Sequence, residues 1–294
     1  MQATSVVLFA VALLLPAGAA LAVPLAPHRA SYDLKLLGDA DSLINADGRI
    51  GIELRQDKCA AYDLDYRFVA RFQQEQELVV TDQQTHTRES LDGRNFSFQT
   101  KTFVDSSPDG TVKGTARTTD SGTTVSFSQP SAHTVDLPTS LFPMGHTSAI
   151  IERAKAGERI VEYPVFDGDA DAEKHLTSTS VIAPVTPGDR AGEPAPADGA
   201  PPPQEGSASP GGSTAKKAAS PADQLKGLKS WRISESYYNS DSDADGLPIF
   251  QTSYTLYENG VSDDLVLTFN GYTLAGGLKS LDLFAQPDCP PSGR

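Results

Sequence analysis

The residues of this chain whose types could carry chemistry are five histidines, two cysteines and two short acidic turns. The histidines are His28, His86, His133, His146 and His175, and none lies three or four residues from another. Without an H-E-x-x-H or H-x-H pair, their spacing gives no support for a zinc or iron centre. His146 is expected to pack against, or cap, the helix that follows it. Asp241-Ser242-Asp243-Ala244-Asp245-Gly246 places carboxylates at positions 1, 3 and 5 and glycine at 6 of an EF-hand loop. Its twelfth position is Thr252, where calcium needs a bidentate Glu, and its eighth is Pro248. Asp167-Gly168-Asp169-Ala170-Asp171 repeats the partial pattern, with Ser178 at the twelfth position. Both therefore read as solvated turns rather than metal loops. No G-x-S-x-G elbow, helix-start S-x-x-K or phosphate-binding P-loop occurs. With 38 acids, some glycosidase-like pair is always available, so acid pairs carry no information. The expectation is no catalytic residue, no metal, no cofactor and no enzyme activity. The 12 Phe and 9 Tyr read as core rather than as a ligand platform.

The cysteines take their meaning from the compartment. Cys59 and Cys289 lie 289 − 59 = 230 positions apart, which excludes both a C-x-x-C redox pair and a Cys-rich zinc site. Residues 1–22 hold no charged side chain, and Val6 to Leu15 form an apolar run too short to span a bilayer. Pro16 breaks that run, and Ala20-Leu21-Ala22 offers the small-x-small pattern of a signal-peptidase site. The segment reads as a signal peptide cleaved near Ala22, and no cysteine follows the cut to make a lipoprotein. In an oxidising compartment two cysteines form either a disulfide or two buried free thiols. Closing so long a loop would remove roughly 5 kcal/mol of unfolded-chain entropy. The net charge of 24 − 38 = −14 argues against nucleic acid or an anionic lipid surface as the main partner. No later stretch is apolar enough to make an integral membrane protein.

The elements that must position these residues are mostly strands. Ser31–Leu36, Tyr62–Phe68, Phe96–Phe98, Val125–Phe127, Tyr254–Tyr257 and Leu265–Phe269 alternate with period two. Turn signals fall between them at Asp47-Gly48, Asp92-Gly93, Asp109-Gly110, Ser121-Gly122, Asn259-Gly260 and Asn270-Gly271. One helix is expected over His146–Ala156, with Ile150, Ile151 and Ala154 on its buried face and Gly157 as its stop. From Pro184 to Ala222 the chain holds 9 Pro, 9 Ala and 6 Gly in 39 residues, too few apolar groups to offset ordering entropy. We expect a disordered loop at 184–222 inside a single β domain over 23–294. The class is mainly β: antiparallel, many-stranded, with one helix as plug or lid on a curved sheet.

Several blocks together resemble the cell envelope integrity protein B (EipB) family of alphaproteobacterial periplasmic proteins, long a domain of unknown function. They are His28-Arg29-Ala30-Ser31-Tyr32-Asp33-Leu34, the stretch around Cys59, and LFPMGHTSAIIERAKAGERIVEYPVFDG from Leu141 to Gly168. Ser230-Trp231, SESYY, and QTSYTLYENGVSDDLVLTFNGYTLAGGLKSLDLF before Cys289 complete them. The resemblance implies a β-spiral, an incompletely closed barrel with a helix against it, located in the periplasm. It implies a disulfide between Cys59 and Cys289, and a role in envelope integrity without established enzymatic activity. Ala61 before Tyr62, Met144-Gly145 before His146, and the long Pro/Ala-rich insert depart from the family pattern. No binding site near His146 is therefore carried over. The expected partner is another periplasmic or envelope protein. The alternative is a lipid or lipoprotein acyl chain held in a cavity of the half-open barrel.

Overall fold

The alternating runs become fourteen strands of one antiparallel sheet in a computed structural model, which describes residues 24–38, 40, 42–185, 219–240, 246–287 and 289. The first eight are β1 (His28–Leu36), β2 (Asn45–Asp57), β3 (Ala61–Gln73), β4 (Leu78–Ser90), β5 (Asn95–Val104), β6 (Ser107–Thr119), β7 (Gly122–Gln129) and β8 (His133–Leu137). Helix α1 (Pro143–Lys155) follows, then β9 (Ile160–Pro164), a 3-10 turn (Ala172–Lys174) and β10 (Thr177–Pro184). After α2 (Pro221–Gln224) come β11 (Ser230–Tyr238), β12 (Phe250–Tyr257), β13 (Ser262–Phe269) and β14 (Tyr272–Leu283). The expected signal peptide lies outside the described residues, as do 186–218 of the expected loop and Asp241–Asp245 of the first acidic turn. Among the described residues no helix is long and apolar enough to cross a membrane.

Sheet order runs from β8 down to β1, then β14 down to β9. First and last strands are therefore neighbours, and the two edges, β8 and β9, are consecutive in the chain. The sheet does not close by continuous pairing. Its edges meet at one parallel bridge, where Leu141 N–H donates to the Pro164 carbonyl (3.0 Å) and Phe166 N–H donates to that of Leu141 (2.9 Å). Phe96, Phe98, Phe127, Phe142 and Phe166 pack beneath this seam, with Phe96 and Phe142 rings 4.9 Å apart. Burying so many rings together supplies the apolar free energy that a missing ladder of hydrogen bonds does not.

Helix α1 packs Ile150, Ile151 and Ala154 into a cluster with Trp231, Ile233 and Leu256, as its periodicity predicts. It starts three residues earlier than expected, because Pro143 fits the first helical position, where its missing N–H costs nothing. Phe142 offers no side-chain cap. Glu89 of β4 does that work from across the sheet: Oε2 accepts from Met144 N–H (2.8 Å) and Oε1 from Gly145 N–H (2.7 Å).

Two expected turns are corrected. Asp47-Gly48 lies within β2, paired with Lys35 and Leu34. A Cβ on Gly48 would sit 2.9 Å from the Val69 carbonyl, so this glycine permits close strand approach rather than a turn. Asp109-Gly110 lies within β6; the chain reverses instead at Asp105-Ser106, both with left-handed φ (49° and 66°). The other four signals do separate strands. Cys59, in the β2–β3 turn, is bonded to Cys289 beyond β14, with Cα atoms 5.4 Å apart. The bond ties the C-terminal segment to that hairpin.

Candidate functional site

The inward phase of β11 runs Trp231, Ile233, Glu235, which places a carboxylate inside the sheet with 3% of its surface exposed. Its neighbours on β10 are two serines with no exposed surface, Ser178 opposite Tyr237 and Ser180 opposite Glu235. Both hydroxyls donate to Glu235 Oε1, at 2.8 and 3.0 Å. The Tyr254 hydroxyl of β12 donates to Oε2 at 2.6 Å, and the Tyr237 hydroxyl also bonds this carboxylate. Burial, then the Glu235 charge, pushes both tyrosines well above the usual phenol range, so they remain donors. A buried carboxylate is tolerable when its lone pairs are filled in this way.

From the opposite side α1 brings His146. Its Nε2 lies 3.6 Å from Glu235 Oε1, beyond hydrogen-bond reach, and has no partner. Burial lowers its pKa, and the Glu235 charge offsets only part of that. The ring is therefore neutral near pH 7. His146 sits in the first turn of the helix rather than before it, packed edge-on to Tyr163 (5.8 Å). The Ser178 and Ser180 hydroxyls point at the acid, not at the imidazole.

This cradle forms one wall of a solvent-open cavity with two lobes. The more polar lobe, about 590 Å³ and lined by acidic as well as apolar side chains, lies between α1, the Phe166–Lys174 segment and β11. The apolar lobe, about 640 Å³, lies between β1–β3 and β12–β13, lined by residues such as Ile50, Leu64, Phe68, Leu265 and Leu267. Thr147, Asp167, Phe250, Thr252 and Tyr254 line both, so the lobes meet. Volumes of this size suit small ligands. Tyr66 lines the apolar lobe, and burial pushes its pKa up to about 12.

Asp167 stands at the junction. It lines both lobes with an exposed side chain, and desolvation followed by the Asp169 charge raises its pKa. Gly168 makes this placement possible: its φ is +96°, and a Cβ there would meet Phe98 at 3.1 Å. Asp167 Oδ1 accepts from Asp169 N–H (3.1 Å), and Asp169 Oδ1 from Asp171 N–H (2.8 Å). The expected solvated turn is thus a pair of Asx turns, one carboxylate of which lines the cavity. Asp171 pairs with Lys174 at 2.8 Å, whereas Asp167 has no ion-pair partner among the described residues.

The remaining histidines are dispersed. His28 is buried against the Ala26 carbonyl (2.8 Å), His86 pairs with Asp65 (2.8 Å), and His133 stacks on Phe127 (4.5 Å). His175 ends the 3-10 turn. Among the described residues no three His, Cys, Asp or Glu side chains converge as metal ligands. Sequence reasoning missed Glu235 and Glu89; the phase of Trp231 and Ile233 was the available signal for Glu235.

The EipB-like family model matches residues 19–201 and 205–285 of this chain. The cell envelope integrity protein EipB of Brucella abortus (strain 2308) is 32% identical over 277 residues, covering 91% of this chain and 88% of that protein. The crystal structure of a β-barrel-like protein of a domain of unknown function from Brucella abortus superposes with a TM-score of 0.72. It is 30% identical, covering 90% of this chain and all of that one.

Proposed function

The chain belongs to the EipB-like family, and from that membership we propose that it supports cell envelope integrity as a non-enzymatic binding protein of the periplasm. The observation that carries the reading is the two-lobed cavity, an apolar chamber continuous with a polar one. It favours a periplasmic carrier of a lipid or lipoprotein acyl chain, the alternative drawn from sequence, over action through the outer surface alone. The apolar lobe takes the chain, and the polar lobe takes the group that joins the chain to its head. The absence of a hydrogen bond between Ser178 or Ser180 and His146 supports a binding rather than a hydrolytic role.

A second reading, docking of another envelope protein, is favoured by an exposed apolar pair on the sheet edge: Ile160 of β9 and Val181 of β10 lie opposite each other, 67% and 48% exposed. Native mass spectrometry of the protein purified from its own periplasm separates the two. The carrier reading predicts a mass excess equal to a lipid or acyl species. A bare mass for the mature chain, with apolar dyes failing to bind, would contradict it.

A further inference from the structure

Resting on the carrier reading, we propose that the cavity selects amphiphiles with a cationic ammonium head, seated between Asp167 and the rings of Tyr237 and Phe250, with the tail in the apolar lobe. Three features of the site carry this. The polar lobe is lined by Asp167, Asp169, Asp171 and Glu235 against one basic side chain, Lys174, whose 2.8 Å partner is Asp171. Asp167 lines both lobes, keeps its carboxylate accessible to a ligand there, and has no ion-pair partner among the described residues. An ammonium beside it is stabilised, and a sulfate or phosphate there is repelled.

The second feature is aromatic. Tyr237 and Phe250 rings lie 5.7 Å apart, Phe250 and Phe269 5.0 Å, and Phe269 and Tyr272 4.8 Å. This row leads from the carboxylates towards the apolar lobe, and ring faces attract ammonium groups while accepting methylenes without cost. The third is Nε2 of the buried His146 on the same wall, which lies 3.6 Å from Glu235 Oε1 and has no hydrogen-bond partner among the described residues. His146 is neutral here and so does not supply the cation that the acids lack.

The test is calorimetric titration of the mature chain with dodecyltrimethylammonium, dodecyl sulfate and dodecyl maltoside, each below its micelle concentration and at physiological salt. The trimethylammonium compound should bind about tenfold tighter than the other two or more. Each methylene added to its tail should tighten binding about fourfold. Asp167→Asn should abolish most of the preference by weakening only the cation. Thr252→Trp, which fills the junction of the lobes, should block binding while leaving the acidic outer surface unchanged. Equal binding of all three compounds would overturn the head-group assignment and leave the carrier reading intact. Cation binding undiminished in Thr252→Trp would place it on the surface and overturn the proposal. No binding of any of them would overturn both readings. Should Asp167→Asn melt early, the selectivity of the unaltered chain decides.

Discussion

Glu89 and Glu235 are both carboxylates with almost no exposed surface, yet they are held by different means. Glu235 is surrounded by four hydroxyls, so replacing it with Leu leaves those donors without their shared acceptor. We expect Glu235→Leu to cost about 2–4 kcal/mol and Glu235→Gln less, measured by denaturant melts. Equal losses would show that the hydroxyl shell does not depend on the acceptor. Glu89 faces two backbone donors at a helix start, but burial outweighs them and its pKa rises to about 7. A carboxyl raised above its unfolded value of 4.5 contributes stability in full below that value, and loses it as pH rises through 7. The melting temperature of the native chain relative to Glu89→Gln should therefore fall between pH 5 and pH 8; a pH-independent difference would refute this. Glu89 was not legible as special in the sequence, and Glu235 only through its phase with Trp231 and Ile233. A Glu among 38 acids carries no local mark, and its fate is set by strands and a helix that meet it from elsewhere.

At the scale of elements, local signals succeeded where the chain's own chemistry decides. Ile150, Ile151 and Ala154 share a face whatever lies opposite, and Asn259-Gly260 turns between alternating runs because left-handed φ is cheap there. They failed where a neighbour decides. Asp47-Gly48 is strand because β3 approaches Gly48 closely, and the β5–β6 turn falls at Asp105-Ser106, which have no glycine. The helix start was obscured because its cap comes from β4, far away in sequence. The Phe166-Asp167-Gly168 segment is similar: its letters suggest a wet turn, and only the folded chain packs Gly168 against the Phe98 ring and brings Asp167 to the junction of the two lobes. Gly168→Ala combines a strained φ with a ring clash. We expect it to lower stability by about 1–3 kcal/mol in thermal melts, while a neutral effect would mean that Phe98 yields freely.

Across the whole molecule, the fold class was legible, whereas the pairing of the first and last strands and the cavity were not. Alternation tells which side chains face inward but not whether the inward row fills the space between opposite walls. Reduction of the Cys59–Cys289 bond should lower the melting temperature, since it releases a loop worth roughly 5 kcal/mol of unfolded-chain entropy; an unchanged melt would contradict that. Because β10 and β11 pair directly, we propose a single β domain and expect deletion of residues 186–218 to leave the melting temperature unchanged. A loss of folding would assign that segment a packing role. On the proposed function the cavity, rather than the outer surface, does the work. The most direct measurement is survival under envelope stress of cells lacking this gene and supplied with Thr252→Trp, after its melting temperature is matched to the unaltered protein. Failure of this variant to restore survival is the predicted result, and full restoration by a folded, blocked barrel would contradict the account.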